Sequence, residues 1–176
     1  MGADGARSPD SRSIGTAQTA GLVTCYVGLG SNLGDRLAHL QHAVRLLKQQ
    51  PVIHLGALST IRETNPVGGP PQGRYLNCVV EIQTDAAPAE LLRLLKRIER
   101  EMGRPANDER WGPRIIDLDL LFHGDRTIHS PTLTIPHPLL HERRFVLEPL
   151  AQLAPSLMHP VLHKTIAELL AALPAS

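Results

Sequence analysis

From residue 22 onward, short apolar runs alternate with amphipathic stretches. L-V-T-C-Y-V-G-L, residues 22–29, is apolar enough for a buried first strand, and G-S-N-L-G-D behind it is a turn. Leu33, Leu37, Leu40, Val44 and Leu47 recur at three- and four-residue steps, which predicts a helix. Asn32 or Asp35 can cap its start. Pro51 separates that helix from a second strand over roughly residues 52–61. The Gly/Pro-dense stretch E-T-N-P-V-G-G-P-P-Q-G-R is long for a hairpin connection and reads as a binding loop. A third strand, Y-L-N-C-V-V-E-I, places Tyr75, Asn77 and Val79 on one face and Leu76, Cys78 and Val80 on the other. Pro88 opens a second helix with Leu91, Leu94, Leu95, Ile98 and Met102 as its core stripe, and Gly103 stops it.

A last strand runs to Phe122. Its alternation directs Ile116, Leu118, Leu120 and Phe122 to the core, and Ile115, Asp117 and Asp119 the other way. H-G-D-R then turns, and T-I-H is expected to pair back as an edge strand. T-L-T-I-P-H-P leads to a helical R-R-F-V-L-E-P-L, and T-I-A-E is a capping box for a short terminal helix. The order strand, helix, strand, strand, helix, strand predicts an α+β, ferredoxin-like βαββαβ sandwich with a C-terminal extension. Helices would cover one face of an antiparallel sheet, and the open face would carry Asp117, Asp119, Tyr75 and Asn77. Residues 1–21 are small, polar and aperiodic, the composition of a disordered extension, which leaves 22–176 as a single domain.

Composition adds bounds. With 176 residues, 42% of them hydrophobic, the chain can bury a core. A net charge of +1 gives no support for nucleic-acid or membrane-surface binding, and no apolar run reaches transmembrane length. Cys25 and Cys78 lie in apolar runs outside any C-x-x-C pair and read as buried free thiols in a reducing cytoplasm.

The chemistry concentrates in R-W-G-P-R-I-I-D-L-D-L-L-F, residues 110–122. Two carboxylates side by side are costly to ionise together unless a cation joins them. Mg²⁺ suits them, since it takes one or two carboxylates and completes its shell with water and phosphate. Arg110 and Arg114 offer guanidinium forks for phosphate oxygens. An Asp-x-Asp can equally be a solvated acidic face; Trp111, Gly112, Pro113 and the two arginines argue for a site. The phosphate loops of other nucleotide enzymes are missing: Gly28, Gly30 and Gly34 lack dinucleotide spacing, and no G-x-x-x-x-G-K-[ST] occurs. Tyr75 and Asn77 beside the Gly/Pro loop are placed to stack on and hydrogen-bond a flat polar ring, or simply to pack at a sheet edge.

Taken in order, G-S-N-L-G-D-R, E-T-N-P-V-G, Y-L-N, R-W-G-P-R-I-I-D-L-D-L-L, I-P-H-P and R-R-F-V-L resemble the 6-hydroxymethyl-7,8-dihydropterin pyrophosphokinase family over about residues 22–155. The resemblance implies transfer of a pyrophosphoryl group from MgATP to the pterin's hydroxymethyl oxygen, releasing AMP, in folate biosynthesis. It implies that Asp117 and Asp119 hold two Mg²⁺ ions. Tyr75 and Phe145 would sandwich the pterin, Asn77 would hydrogen-bond it, and Thr64, Pro66, Val67 and Gly68 would line its pocket. Arg104, Arg114, His137 and Arg143 would face the triphosphate, Glu99 and Leu120 the nucleotide, and Trp111 would sit in a loop that closes over the site. The partners implied are the two small-molecule substrates, and the chain is expected to be a monomer.

The chain departs from the family pattern at Arg62, where an aromatic is usual, and at Ala106, Asn107 and Thr132, where basic residues occur, the last three leaving fewer cations for the triphosphate. Another MgATP-dependent transferase would share the Asp-x-Asp but not the Y-L-N and R-x-F clamp. A non-catalytic ligand-binding module of this fold, such as an RNA binder, would display aromatics and basic residues where this sheet has carboxylates. Replacing either Asp117 or Asp119 by Asn is expected to leave the fold intact, because each change removes a repulsive charge.

Overall fold

The computed structural model describes residues 21–105 and 112–174. Residues 1–20, assigned above to a disordered extension, and Ala106, Asn107, Arg110 and Trp111 lie outside the described residues. The elements begin with β1 (Val23–Ser31), α1 (Arg36–Lys48), β2 (His54–Leu58), β3 (Arg62–Thr64), β4 (Tyr75–Thr84), α2 (Pro88–Glu101) and β5 (Asp117–His123). Then come a small ribbon of β6 (Ile128–His129) and β7 (Thr134–Ile135), a 3-10 turn over Leu140–Glu142, and α3 (Arg144–Leu153). A second ribbon, β8 (Met158–His159) and β9 (Lys164–Thr165), precedes α4 (Ile166–Ala172).

The main sheet runs β2-β4-β1-β5, antiparallel throughout, with β3 extending the β2 edge of β4. That order, with α1 and α2 as the crossovers, is the ferredoxin-like arrangement. The expected second strand is broken into β2 and β3, and T-I-H pairs with Thr134 and Ile135 instead of folding back on β5.

Helix α1 is capped by Asp35, whose side chain accepts from the Ala38 amide at 3.0 Å. Its buried face is Leu40, Ala43, Leu46 and Leu47. Leu33 precedes the helix and Leu37 is turned outward, both nearly half exposed, so the expected stripe is rotated. In α2 the expected stripe is buried at Leu91, Leu94, Leu95 and Ile98, and the helix stops at Gly103, whose φ of +95° favours glycine. Thr165 caps α4 and is bonded back by Glu168 in a capping box.

The hydrophobic interior has two parts, one on each face of the sheet. Cys25, Val27, Leu29, Cys78, Val80, Ile82, Leu118 and Leu120 pack under α1 and α2. Tyr26, Val79, Leu121 and Phe122 pack under α3 and α4 on the opposite face. Helices on one face only was therefore an incomplete expectation: the C-terminal segment covers part of the other face as well. Phe122 also changes sides. The register passes from Tyr26↔Phe122 to Val27↔Leu120, so Leu121 is an extra residue on β5. Such a bulge reverses the alternation beyond it.

The two thiols are buried and unpaired, and desolvation pushes both up to about 12. The native protein is thus expected to leave both cysteines unmodified by a thiolate-selective reagent at pH 8 and to expose both on unfolding in guanidinium. A thiol titration that finds either one reacting in the native protein at its unfolded rate would contradict this packing.

Candidate active site

The part of the second sheet face that α3 and α4 leave open is a cleft of about 280 Å³. Gly28 and Gly30 of β1, Tyr75 and Asn77 of β4, and Asp117 and Asp119 of β5 line it. Register explains the grouping. Gly30 lies between Asn77 and Asp117, and Gly28 between Val79 and Asp119, so glycines occupy the middle of two cross-strand rows. Thr64, Asn65, Pro66 and Val67 wall the cleft on the β4 side, and His137, Arg143, Phe145 and Val146 wall it from the C-terminal segment. At the lower end of the size range of small-molecule sites, the cleft suits one compact ring, with longer groups lying along its charged rim.

The ring-shaped end is held by short bonds. Asn77 Nδ2 donates to Thr64 Oγ1 at 2.7 Å, and the Tyr75 hydroxyl, with one hydrogen to give, lies 3.3 Å from both Gln72 Oε1 and the Gly112 carbonyl. Arg143 lies 5.7 Å from the Phe145 ring centroid, which keeps both side chains at the rim.

At the charged end, Arg104 Nη1 lies 2.6 Å from Asp117 Oδ1, and Arg114 Nη1 lies 3.1 Å from Asp117 Oδ2. Glu99, almost wholly buried, accepts from the Leu118 amide at 2.7 Å, from Lys96 Nζ at 2.8 Å and from Arg104 at 2.9 Å. Lys96 also donates to the Leu118 carbonyl. Helix α2 is thereby tied to β5 by charge-assisted bonds beside the acidic pair.

The two aspartates have opposite surroundings. Burial works against the Asp117 carboxylate, but Lys96, Arg114 and Arg104 outweigh it and hold its pKa below the usual range. Asp119 is pushed up to about 6, first by desolvation and then by Asp117. Its carboxylate accepts no hydrogen bond from the described residues. That is a fitting place for a hard cation, and Mg²⁺ needs no third protein ligand if phosphate oxygens complete its shell. Among the described residues no group of three acidic, His or Cys side chains forms a cage. His137 is driven down to about 4, by burial and then by Arg143, so at neutral pH it is uncharged. Its Nδ1 accepts from the Leu139 amide at 3.3 Å, which leaves Nε2 as the protonated nitrogen.

Some expected residues stand elsewhere. Leu120 belongs to the core under α2, and Glu99 is enclosed between α2 and β5, so neither side chain lines the cleft. Gly68 lies in the Gly/Pro loop behind Val67, where its carbonyl accepts from Gln72. Trp111 lies outside the described residues. Arg62 pairs with Glu148 of α3 at 3.6 Å, and Thr132 is on the surface.

Asn32, a helix-cap candidate in the sequence, has a different role in the structure. It is buried, and its Nδ2 donates to Gln72 Oε1 and the Gly73 carbonyl at 2.9 and 3.2 Å, while its Oδ1 accepts from the Arg114 amide at 2.7 Å. It thus joins the Gly/Pro loop to the arginine-bearing segment. An Asn inside a Gly-Ser-Asn turn carries no sign of such long-range partners. Leu121 also went unnoticed at the cleft, since only the bulge brings it there.

A ferredoxin-like sheet with a carboxylate pair, an arginine cluster and an aromatic ring slot in one cleft defines a class, the small-molecule phosphoryl-transfer enzymes. The family is given by comparison. Residues 26–155 match the model of 7,8-dihydro-6-hydroxymethylpterin-pyrophosphokinase (HPPK), and the chain belongs to that family. A 2-amino-4-hydroxy-6-hydroxymethyldihydropteridine pyrophosphokinase from Bacillus subtilis is 47% identical over 128 residues, covering 73% of this chain and 76% of the relative. The protein of the same name from Aquifex aeolicus is 37% identical over 147 residues, covering 84% and 90%. The fold matches a solved HPPK-DHPS in complex with substrates at a TM-score of 0.69 and 15% identity, covering 86% of this chain and 43% of that one. It also matches wild-type Plasmodium falciparum HPPK-DHPS with pterin and p-hydroxybenzoate, at 0.68 and 17%, covering 88% and 44%. The chain therefore spans under half the length of those solved chains.

The environments of the two aspartates correct the expectation that their Asn variants behave alike. The folded pKa of Asp119 lies above its unfolded value of 3.8, so its contribution to stability is present below pH 3.8 and lost as pH rises through about 6. At pH 7.5 the ionised group is a net cost. In metal-free protein Asp119→Asn is expected to gain about 1 kcal/mol after allowance for solvent in the cleft, raising Tm by roughly 2–4 °C. The gain should vanish at pH 4. Asp117→Asn removes the carboxylate shared by Arg104 and Arg114 and should lower Tm. Thermal melts of both variants at the two pH values check this, and equal shifts would refute it.

Proposed function

We propose that this chain transfers pyrophosphate from ATP to the hydroxymethyl group of 6-hydroxymethyl-7,8-dihydropterin, producing AMP and the pterin diphosphate in folate biosynthesis. The observation that carries the reading is one cleft in which a ring slot on β4 and an acidic, arginine-rimmed end on β5 face each other across β1. Family membership and the names of the relatives support it from sequence.

Tyr75 and Phe145 close on the pterin ring, Asn77 hydrogen-bonds it, and Thr64, Pro66, Val67 and Gly68 shape its side of the loop. Asp117 and Asp119 hold two Mg²⁺ ions, which when bound neutralise phosphate oxygens and polarise the transferring group. Arg104 and Arg114 pass from Asp117 to the triphosphate as it arrives, so the cluster's charge stays balanced before and after binding. Arg143 takes the far phosphates, and His137, uncharged, donates from Nε2. The nucleotide lies along the free edge of β5, with the Leu120 backbone beside it and Glu99 behind, where Glu99 acts by holding Arg104. The reaction needs alignment of the hydroxymethyl oxygen with the transferring phosphorus, and exclusion of water as a competing acceptor. No residue of the described cleft is required to act as a general base, so positioning and charge neutralisation carry the step. The chain is taken to act as a monomer on its two small-molecule substrates. Free thiols and dependence on ATP support the cytoplasm.

Mixing the protein with MgATP and the pterin should produce AMP and pterin diphosphate in equal amounts. ADP as the nucleotide product would turn the reading into an ordinary kinase. Asp117→Asn and Asp119→Asn should each cut turnover by about a hundredfold or more, and a near-normal rate in either would remove the metal assignment. Phe145→Ala should weaken pterin binding well beyond any effect on ATP; equal losses for both ligands would make the ring structural.

A further inference from the structure

Gly30 occupies the middle of the row Asn77–Gly30–Asp117, between the strand that holds the ring slot and the strand that holds the carboxylates. Directly opposed residues on antiparallel strands have β-carbons about 5 Å apart, so a side chain at position 30 would stand against that of Asn77. A β-carbon built on Gly30 falls 2.9 Å from Asn77 Oδ1 and 3.7 Å from Cδ1 of Tyr75. No other non-adjacent group comes within 4 Å of it, Asp117 included. The first distance is closer than real β-carbons approach a neighbour, and Asn77 has little freedom to yield. It is 8% exposed, and its Nδ2 is already engaged by Thr64 Oγ1 at 2.7 Å. Gly30 does not have the positive φ that requires glycine elsewhere in this chain, at Gly34 or Gly103 for instance. Its backbone is ordinary strand, so space alone excludes a side chain.

We infer that Gly30 is a specificity-determining position: its bare Cα lets the Asn77 carboxamide lie flat across β1, and so sets the position from which Asn77 meets the ring. This inference rests on the assignment of Asn77 to the pterin. Gly30 itself is a positioning residue. A methyl group there forces the carboxamide off β1, either breaking its bond to Thr64 or driving it into the ring slot. The disturbance falls on the ring side, because the carboxylate side lies beyond the reach of the added atom.

The test measures binding of the pterin and of a non-hydrolysable ATP analogue to Gly30→Ala, Asn77→Ala and the double variant, in the full chain. Gly30→Ala should weaken the pterin about tenfold, the scale of one hydrogen bond to a ring, and change the ATP analogue by less than about twofold. In the Asn77→Ala background, with no carboxamide to displace, the same substitution should cost less than about twofold. Unchanged pterin binding in Gly30→Ala, equal loss of both ligands, or an equal penalty with and without Asn77 overturns the inference. If Asn77→Ala itself binds the pterin normally, the assignment of Asn77 falls and the inference with it. That result is distinct from one in which Asn77→Ala is weak and Gly30→Ala is not. Should Gly30→Ala fail to fold, the double variant decides: folded, it supports the clash with Asn77, and unfolded, it overturns it.

Discussion

Two carboxylates leaving one face of a strand two residues apart repel each other, and a half-buried sheet face offers little water to screen them. Much of this site can be understood as the compensation. Asp117 is met by Arg104 and Arg114, Arg104 is held in turn by Glu99, and Glu99 is braced by Lys96 and by the Leu118 amide. Asp119, at the end of that chain, is left with a raised pKa and, among the described residues, no hydrogen-bond donor. The fold thus neutralises one carboxylate with its own cations and leaves the other in need of one from outside.

The ring end depends on a different constraint, room. Strand β1 crosses the floor of the cleft with glycine at the two positions that face it, and its neighbours carry Tyr75 and Asn77 on one side and the aspartates on the other. The bulge at Leu121 ends this floor. Beyond it the alternation reverses, Phe122 and Tyr26 enter a hydrophobic cluster, and α3 and α4 settle on them. One extra residue in β5 therefore separates the part of the sheet face used for the site from the part used for stability. Arg143 and Phe145, at the start of α3, reach the cleft because that helix is anchored just past the boundary.

The loops on either side are joined by Asn32. Its amide spans from the Gly/Pro loop to the backbone of Arg114, so the wall of the ring slot and the segment bearing an arginine paired with Asp117 share one buried fastening. Fully satisfied buried amides of this kind fix geometry more than they add stability.

The sequence by itself determined the elements with strong local signatures. Helix α2, its glycine stop, the capping box at Thr165, the strand faces of Tyr75 and Asn77 and the acidic pair all follow from period, caps and alternation, which are properties of neighbouring residues. Motif order was enough to point to the family. Tertiary structure alone decided what depends on partners far along the chain. The rotated face of α1, the crossing of Phe122 to the other side and the covering of the second sheet face by α3 and α4 belong to packing. So do the separation of Leu120 and Glu99 from the cleft and the fastening role of Asn32. Asp117 and Asp119 look equivalent in the sequence. They become chemically unlike only when the segments after α2 and after Pro113 bring Arg104 and Arg114 into ion pairs with Asp117 while Asp119 stays desolvated beside it, because electrostatic environment is set by distance in space.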